Sequence, residues 1–113
     1  MSCLFCKIVA GEIPSKRVHE DDELLAFEDI KPEAPVHVLV IPKRHIESVN
    51  HLQASDDPLV GAMIRLAAQI ARDRGVHASG YRTVLNCNSN AGQTVFHVHL
   101  HLLGGRRMSW PPG

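Results

Sequence analysis

Residues His97-Val98-His99-Leu100-His101-Leu102-Leu103, followed by Gly104-Gly105, constrain this chain more than any other stretch. Side chains alternate across a strand, so the three histidines line one face while Val98, Leu100 and Leu102 line the other. One face suits a core and the other suits chemistry. A single histidine there would read as an ordinary exposed strand position; three in strict alternation point to a site. Neutral imidazole binds metals, and it also attacks or shuttles protons near pH 7. Strand residues two apart lie about 6.5–7 Å from each other, and His97 and His101 about twice that. One Zn²⁺ with bonds of about 2.0–2.1 Å spans two of them but hardly all three. The row therefore fits a nucleophile flanked by an orienting neighbour and a proton donor better than a tri-histidine metal centre.

The whole chain has 113 residues, enough for one domain with a real core, yet small enough that staples or a partner subunit would help. A single domain over 1–113 is expected, with a tail from about 104 to 113. Twelve basic residues balance twelve acidic ones. That leaves no basic field for nucleic acid or a membrane surface, so the expected partner is a small molecule. Three cysteines and no apolar leader or long hydrophobic run give the expectation of a cytoplasmic protein with reduced thiols.

Along the chain, Leu4, Phe5, Ile8 and Val9 fall at helical spacing before Gly11, which predicts a short amphipathic helix. Arg17 to Glu20 and Leu24 to Asp29 read as a hairpin around an acidic turn. In the second strand Leu25, Phe27 and Asp29 share a face, with Ile30 just beyond. Two prolines make 31–35 a loop. Val36 to Ile41 is rich in β-branched residues, as a central strand should be, and His37 shares a face with Leu39 and Ile41. Asp57-Pro58 reads as an N-cap and first helical residue. Leu59, Met63, Leu66 and Ile70 then form the stripe of a long helix that Gly75 closes. Tyr81 to Asn86 reads as a strand. The loop from Asn88 to Thr94 leads into the histidines and offers backbone N–H groups, amides and a hydroxyl suited to phosphate oxygens. The lone tryptophan, Trp110, is expected to dock somewhere.

The run from His97 to Leu103 resembles the signature of the histidine triad nucleotide-binding proteins. The tail Leu103-Gly104-Gly105-Arg106 with Trp110-Pro111-Pro112-Gly113 resembles their Hint branch, and Glu12-Ile13-Pro14, Ala26-Phe27-x-Asp29-Ile30 and Ile41-Pro42-Lys43-x-His45-Ile46 extend the likeness along the chain. The resemblance implies an α+β protomer with a five-stranded antiparallel sheet, one long and one or two short helices, and two protomers joined into a ten-stranded sheet. It further implies hydrolysis of purine nucleoside phosphoramidates and of acyl or aminoacyl adenylates. His99 is then the nucleophile, oriented by the His97 carbonyl. His101 contacts phosphate and protonates the departing amine, and His37 is the outer member of a proton relay. Thr94 and Gln93 flank the phosphate and leaving group, and Asn86 and Gly92 hold phosphate oxygens. Asp29 binds ribose, and Leu4, Phe5, Ile8, Phe27, Ile30 and Leu39 form the base pocket.

Cys3 and Cys6 depart from many Hint-branch members. In other bacterial relatives such a pair binds structural zinc with histidines matching His45 and His97; the other reading is two reduced cysteines packing a helix. No cofactor is expected for catalysis. Three alternatives stay open: a dinucleoside polyphosphate hydrolase, a nucleotide-binding interaction module, and a zinc-dependent enzyme.

Overall fold

The computed structural model describes residues 3–113. In chain order the elements are α1 (Leu4–Val9), β1 (Arg17–Glu20), β2 (Leu24–Glu28), β3 (Val36–Pro42), α2 (Asp57–Asp73), β4 (Tyr81–Val84) and β5 (Leu100–Gly104). The five strands form one antiparallel sheet in the order β1-β2-β3-β5-β4. The hairpin turns where it does because the Asp21 carboxylate accepts the N–H groups of Glu23 and Leu24, at 2.8 and 2.9 Å.

Every residue of β3 is buried because both faces of the sheet are covered. On one face Leu59, Met63, Ala67, Ile70 and Ala71 of α2 pack against Ala26, Val38, Val40, Leu100 and Leu102. On the other, Phe5 and Ile8 of α1 close over Leu25, Phe27, Leu39 and Ile41. The three histidines belong to this second face, so the large helix builds the core and the small one roofs the site.

Some boundaries differ from the sequence reading. The β5 ladder begins at Leu100 rather than at His97. The β3 partner there is Pro42, which has no N–H to give; its carbonyl is taken by the His97 ring, and the Val98 N–H bonds Ile46 O at 2.7 Å. The alternation of faces nevertheless persists back to His97. β4 stops at Val84, where its pairing with His101 ends, leaving Leu85, Asn86 and Cys87 outside the strand. β2 ends at Glu28, and Asp29 continues by donating its N–H to His37 O. The residue before α2 is Asp56 rather than Asp57, and its carboxylate is held by Arg44 and the Gln53 N–H.

Gly104 and Gly105 let the chain leave the sheet. A Cβ on Gly104 would lie 2.9 Å from Val76 Cγ2, and Gly105, at φ +90°, passes equally close to Pro35. Beyond them the tail is tied down by Arg106 to Glu33 O and Arg82 to Ser109 O. Trp110 stays 81% exposed rather than docking on its own chain. Among the described residues no helix is long and apolar enough to cross a membrane.

Candidate active site

The antiparallel register sets Leu39 opposite His101 and His37 opposite Leu103, so His37 and His101 meet diagonally on the roofed face with ring centroids 5.2 Å apart. Main-chain atoms then fix where each proton sits. The Glu33 N–H donates to His37 Nδ1 at 3.0 Å, which leaves the His37 proton on Nε2. That N–H points at His101 Nδ1, 2.9 Å away, with Asp29 Oδ2 at 3.4 Å. His101 therefore carries its own proton on Nε2. His99 Nδ1 donates to the His97 carbonyl at 2.7 Å, so its Nε2 holds a free lone pair. The Phe5 ring stands edge-on to His99 with centroids 5.0 Å apart, and His99 is only 7% exposed.

Burial favours the neutral form of His99 and His101. It lowers the His99 pKa below the ordinary value against the opposing pull of the His97 carbonyl. His101 falls furthest, to about 4, through burial and the neighbouring His99 and His37. An unprotonated nucleophile and an N–H donor thus coexist at neutral pH.

A second cluster lies at the other end of the row. The His97 ring donates Nε2–H to Pro42 O at 2.7 Å, which turns its Nδ1 lone pair toward Cys3 Sγ at 3.4 Å, Cys6 Sγ at 3.6 Å and His45 Nδ1 at 3.3 Å. Cys6 Sγ lies 3.4 Å from His45 Nδ1. A tetrahedral ion with Zn–N of about 2.0–2.1 Å and Zn–S of about 2.3 Å sets its ligands at about these separations. His97 thus serves both clusters: its ring faces the thiols and its carbonyl orients His99.

The expected base pocket divides in three. Phe5, Ile8, Phe27 and Leu39 pack on one another as a buried cluster, whereas Leu4 is partly exposed and Ile30 is 92% exposed. Ile30 lines an open cavity of about 740 Å³ together with Pro14, Ser15, Asp29 and His37. Leu4 and Thr94 line another of about 480 Å³ beside Cys3 and His45. The Asp29 carboxylate is braced by the Lys31 N–H at 2.8 Å. In the loop before the triad the Gln93 amide is buried: its oxygen accepts the Asn88 N–H at 2.8 Å, and its nitrogen donates to Glu47 O and Val95 O at 3.0 and 3.2 Å. Gln93 thereby shapes the loop, leaving Thr94 and Gly92 exposed and Asn86 half-buried. Gly92 takes a positive φ of 87° that favours glycine.

Sequence reading alone did not single out Glu33, whose N–H sets the His37 tautomer, or Ser15. A backbone N–H is common to nearly all residues, and a serine beside a proline carries no spacing signal.

A family model described as "Scavenger mRNA decapping enzyme C-term binding" matches residues 2–110. The purine nucleoside phosphoramidase of Escherichia coli K12 is 48% identical over 103 residues, 91% of this chain and 87% of the relative. The chain belongs to the histidine triad family. The structure of a HIT family hydrolase from Legionella pneumophila superposes with a TM-score of 0.97 at 52% identity, covering 99% of this chain and all of that one. A HIT family hydrolase from Clostridium thermocellum gives a TM-score of 0.93 at 46% identity, over 96% and 94% of the two chains. The histidine triad fold is the one the sequence resemblance implied, and the chain's kinship is with the family's hydrolases.

Proposed function

We propose that this histidine triad protein hydrolyses purine nucleoside phosphoramidates through a nucleotide transiently bonded to His99. The observation that carries the reading is the His99 Nδ1–H···O=C bond to His97, which presents a bare Nε2 on a buried imidazole whose pKa burial lowers. Nε2 attacks the α-phosphorus and the P–N bond breaks. The departing amine takes the proton from His101 Nε2, while the outer histidine of the relay, His37, keeps its Nε2–H directed at His101 Nδ1 and so orients the donor. Water then attacks phosphorus, returns a proton to His101 Nε2, and releases His99 and the nucleoside monophosphate. Asn86, Gly92, Gln93 and Thr94 sit on the loop that would hold the phosphate, with Gln93 acting through loop shape and the others through direct donors. Asp29 takes the ribose hydroxyls. Of the apolar residues, Ile30 offers an exposed surface beside Asp29 for the base, Phe5, Ile8, Phe27 and Leu39 are the packed core of that face, and Leu4 lines the neighbouring cavity. The name of the Escherichia coli relative supports the substrate class.

The reading includes a structural zinc ion held by Cys3, Cys6, His45 and His97. Bound there, it would tie α1 to the triad segment and leave the chemistry to imidazole. It also includes a homodimer joined through β4. The β1 edge is occupied by the charged Arg17, Glu20 and Lys43, whereas the other edge, β4, lies near exposed Tyr81 and Leu85. A cytoplasmic setting suits three free cysteines.

The test is AMP release from adenosine 5′-phosphoramidate, with a dinucleoside polyphosphate as competing substrate. Purified protein is expected to turn over the phosphoramidate preferentially. His99→Ala, with an unchanged circular dichroism spectrum, should lose on the order of 10³-fold or more. Nucleotide binding without turnover in the unmutated protein would remove the enzyme reading in favour of a nucleotide-binding interaction module.

A further inference from the structure

The cavity beside Asp29 has a wall that the catalytic scheme leaves unused. Arg17 pairs with Phe27, and the Glu28 N–H donates to Lys16 O at 3.0 Å, so the antiparallel register runs on past β1 and brings Ser15 across from Asp29. Alternation puts Ser15 on the same face as Arg17, Phe27 and Asp29. The Arg17 guanidinium confirms that face by reaching α1 to bond Ile8 O at 2.7 Å. Ser15 accordingly lines the same cavity of about 740 Å³ as Asp29, Ile30 and His37.

The Ser15 hydroxyl is also a polar loose end. Its Oγ is buried and has no hydrogen-bond partner among the described residues. Buried hydroxyls nearly always find partners, and an exception calls for a reason. Asp29 supplies the complementary half. Its carboxylate oxygens accept hydrogen bonds, Oδ1 is already braced by the Lys31 N–H, and a hydroxyl that donates to Asp29 still has lone pairs free. A serine O–H one strand away is the donor such an oxygen lacks, and rotation about one side-chain torsion re-aims it.

Resting on the nucleotide reading above, we propose that Ser15 is a sugar-reading residue whose hydroxyl donates to a ribose hydroxyl that itself donates to Asp29. The pair Ser15–Asp29 then selects ribonucleotides over deoxynucleotides through a hydrogen-bond chain running O–H to O–H to carboxylate. The apolar side of the site has no comparable way to read the sugar.

The experiment is calorimetric binding of AMP, 2′-deoxy-AMP and 3′-deoxy-AMP to the unmutated protein, Ser15→Ala and Ser15→Thr. Ser15→Ala should bind AMP about three- to tenfold more weakly. That loss should vanish for at least one of the deoxynucleotides, because the missing sugar hydroxyl and the missing serine hydroxyl report one bond. Ser15→Thr, which keeps the O–H, should keep the preference. A loss of the same factor for all three nucleotides, or no loss for AMP, overturns the assignment of Ser15 alone. If the unmutated protein binds no AMP, the nucleotide reading and this one fall together.

Discussion

His101 stands between His99 and His37, and in that company it gives up its charge. Its pKa near 4 in the folded protein, against an ordinary 6.5, means that the unfolded chain binds more protons across that interval. Its contribution to stability is therefore fully present above pH 6.5 and is lost as pH falls toward 4. Urea midpoints measured from pH 7 to pH 4 should fall for the unmutated protein and fall less steeply for His101→Gln; parallel curves would show that His101 does not carry the effect. At this scale the sequence was unevenly legible. The triad announces itself because its members are two residues apart. His37 lies 64 residues from its partner His101, and only the register of β3 against β5 brings their rings within 2.9 Å.

Of all the elements, α1 has the most to hold and the least to hold it with. Six residues are too few to be stable as an isolated helix. It is kept by Phe5 and Ile8 on the sheet and by the cluster formed with His45 and His97. Purified protein should accordingly carry stoichiometric zinc by elemental analysis. Cys3→Ser and Cys6→Ser should lose the metal and melt about 5–15 °C lower. Metal-free protein with the same melting temperature as the variants would favour two reduced thiols packing a helix. Helices and strands as such were legible, since periods of 3.6 and 2 are written in the order of apolar residues. Their ends were not, because a ladder stops where its partner runs out of donors, as β5 does opposite Pro42. The base pocket shows the same limit: hydrophobic residues at strand and helix spacing announce burial, but not whether they line a slot or, like Phe5, Ile8, Phe27 and Leu39, fill one another's space.

For the molecule as a whole, one sheet with helices on both faces leaves apolar surface uncovered at Ile64, Tyr81, Leu85 and Trp110. In the dimer proposed above, light scattering at micromolar concentration should give twice the chain mass. The double substitution Ile64→Lys, Leu85→Lys, at positions already exposed in the protomer, should give the single mass with little change in secondary structure; a monomeric unmutated protein would remove that reading. The orientation of the site, meanwhile, is set by the main chain of three distant segments: Glu33 N–H, Pro42 C=O and His97 C=O hold three of the imidazoles. Replacing the Glu33 side chain leaves its N–H in place. An alanine scan would therefore pass over Glu33 as silent, while a one-residue deletion between Asp29 and His37 would disarm the relay without altering a single histidine.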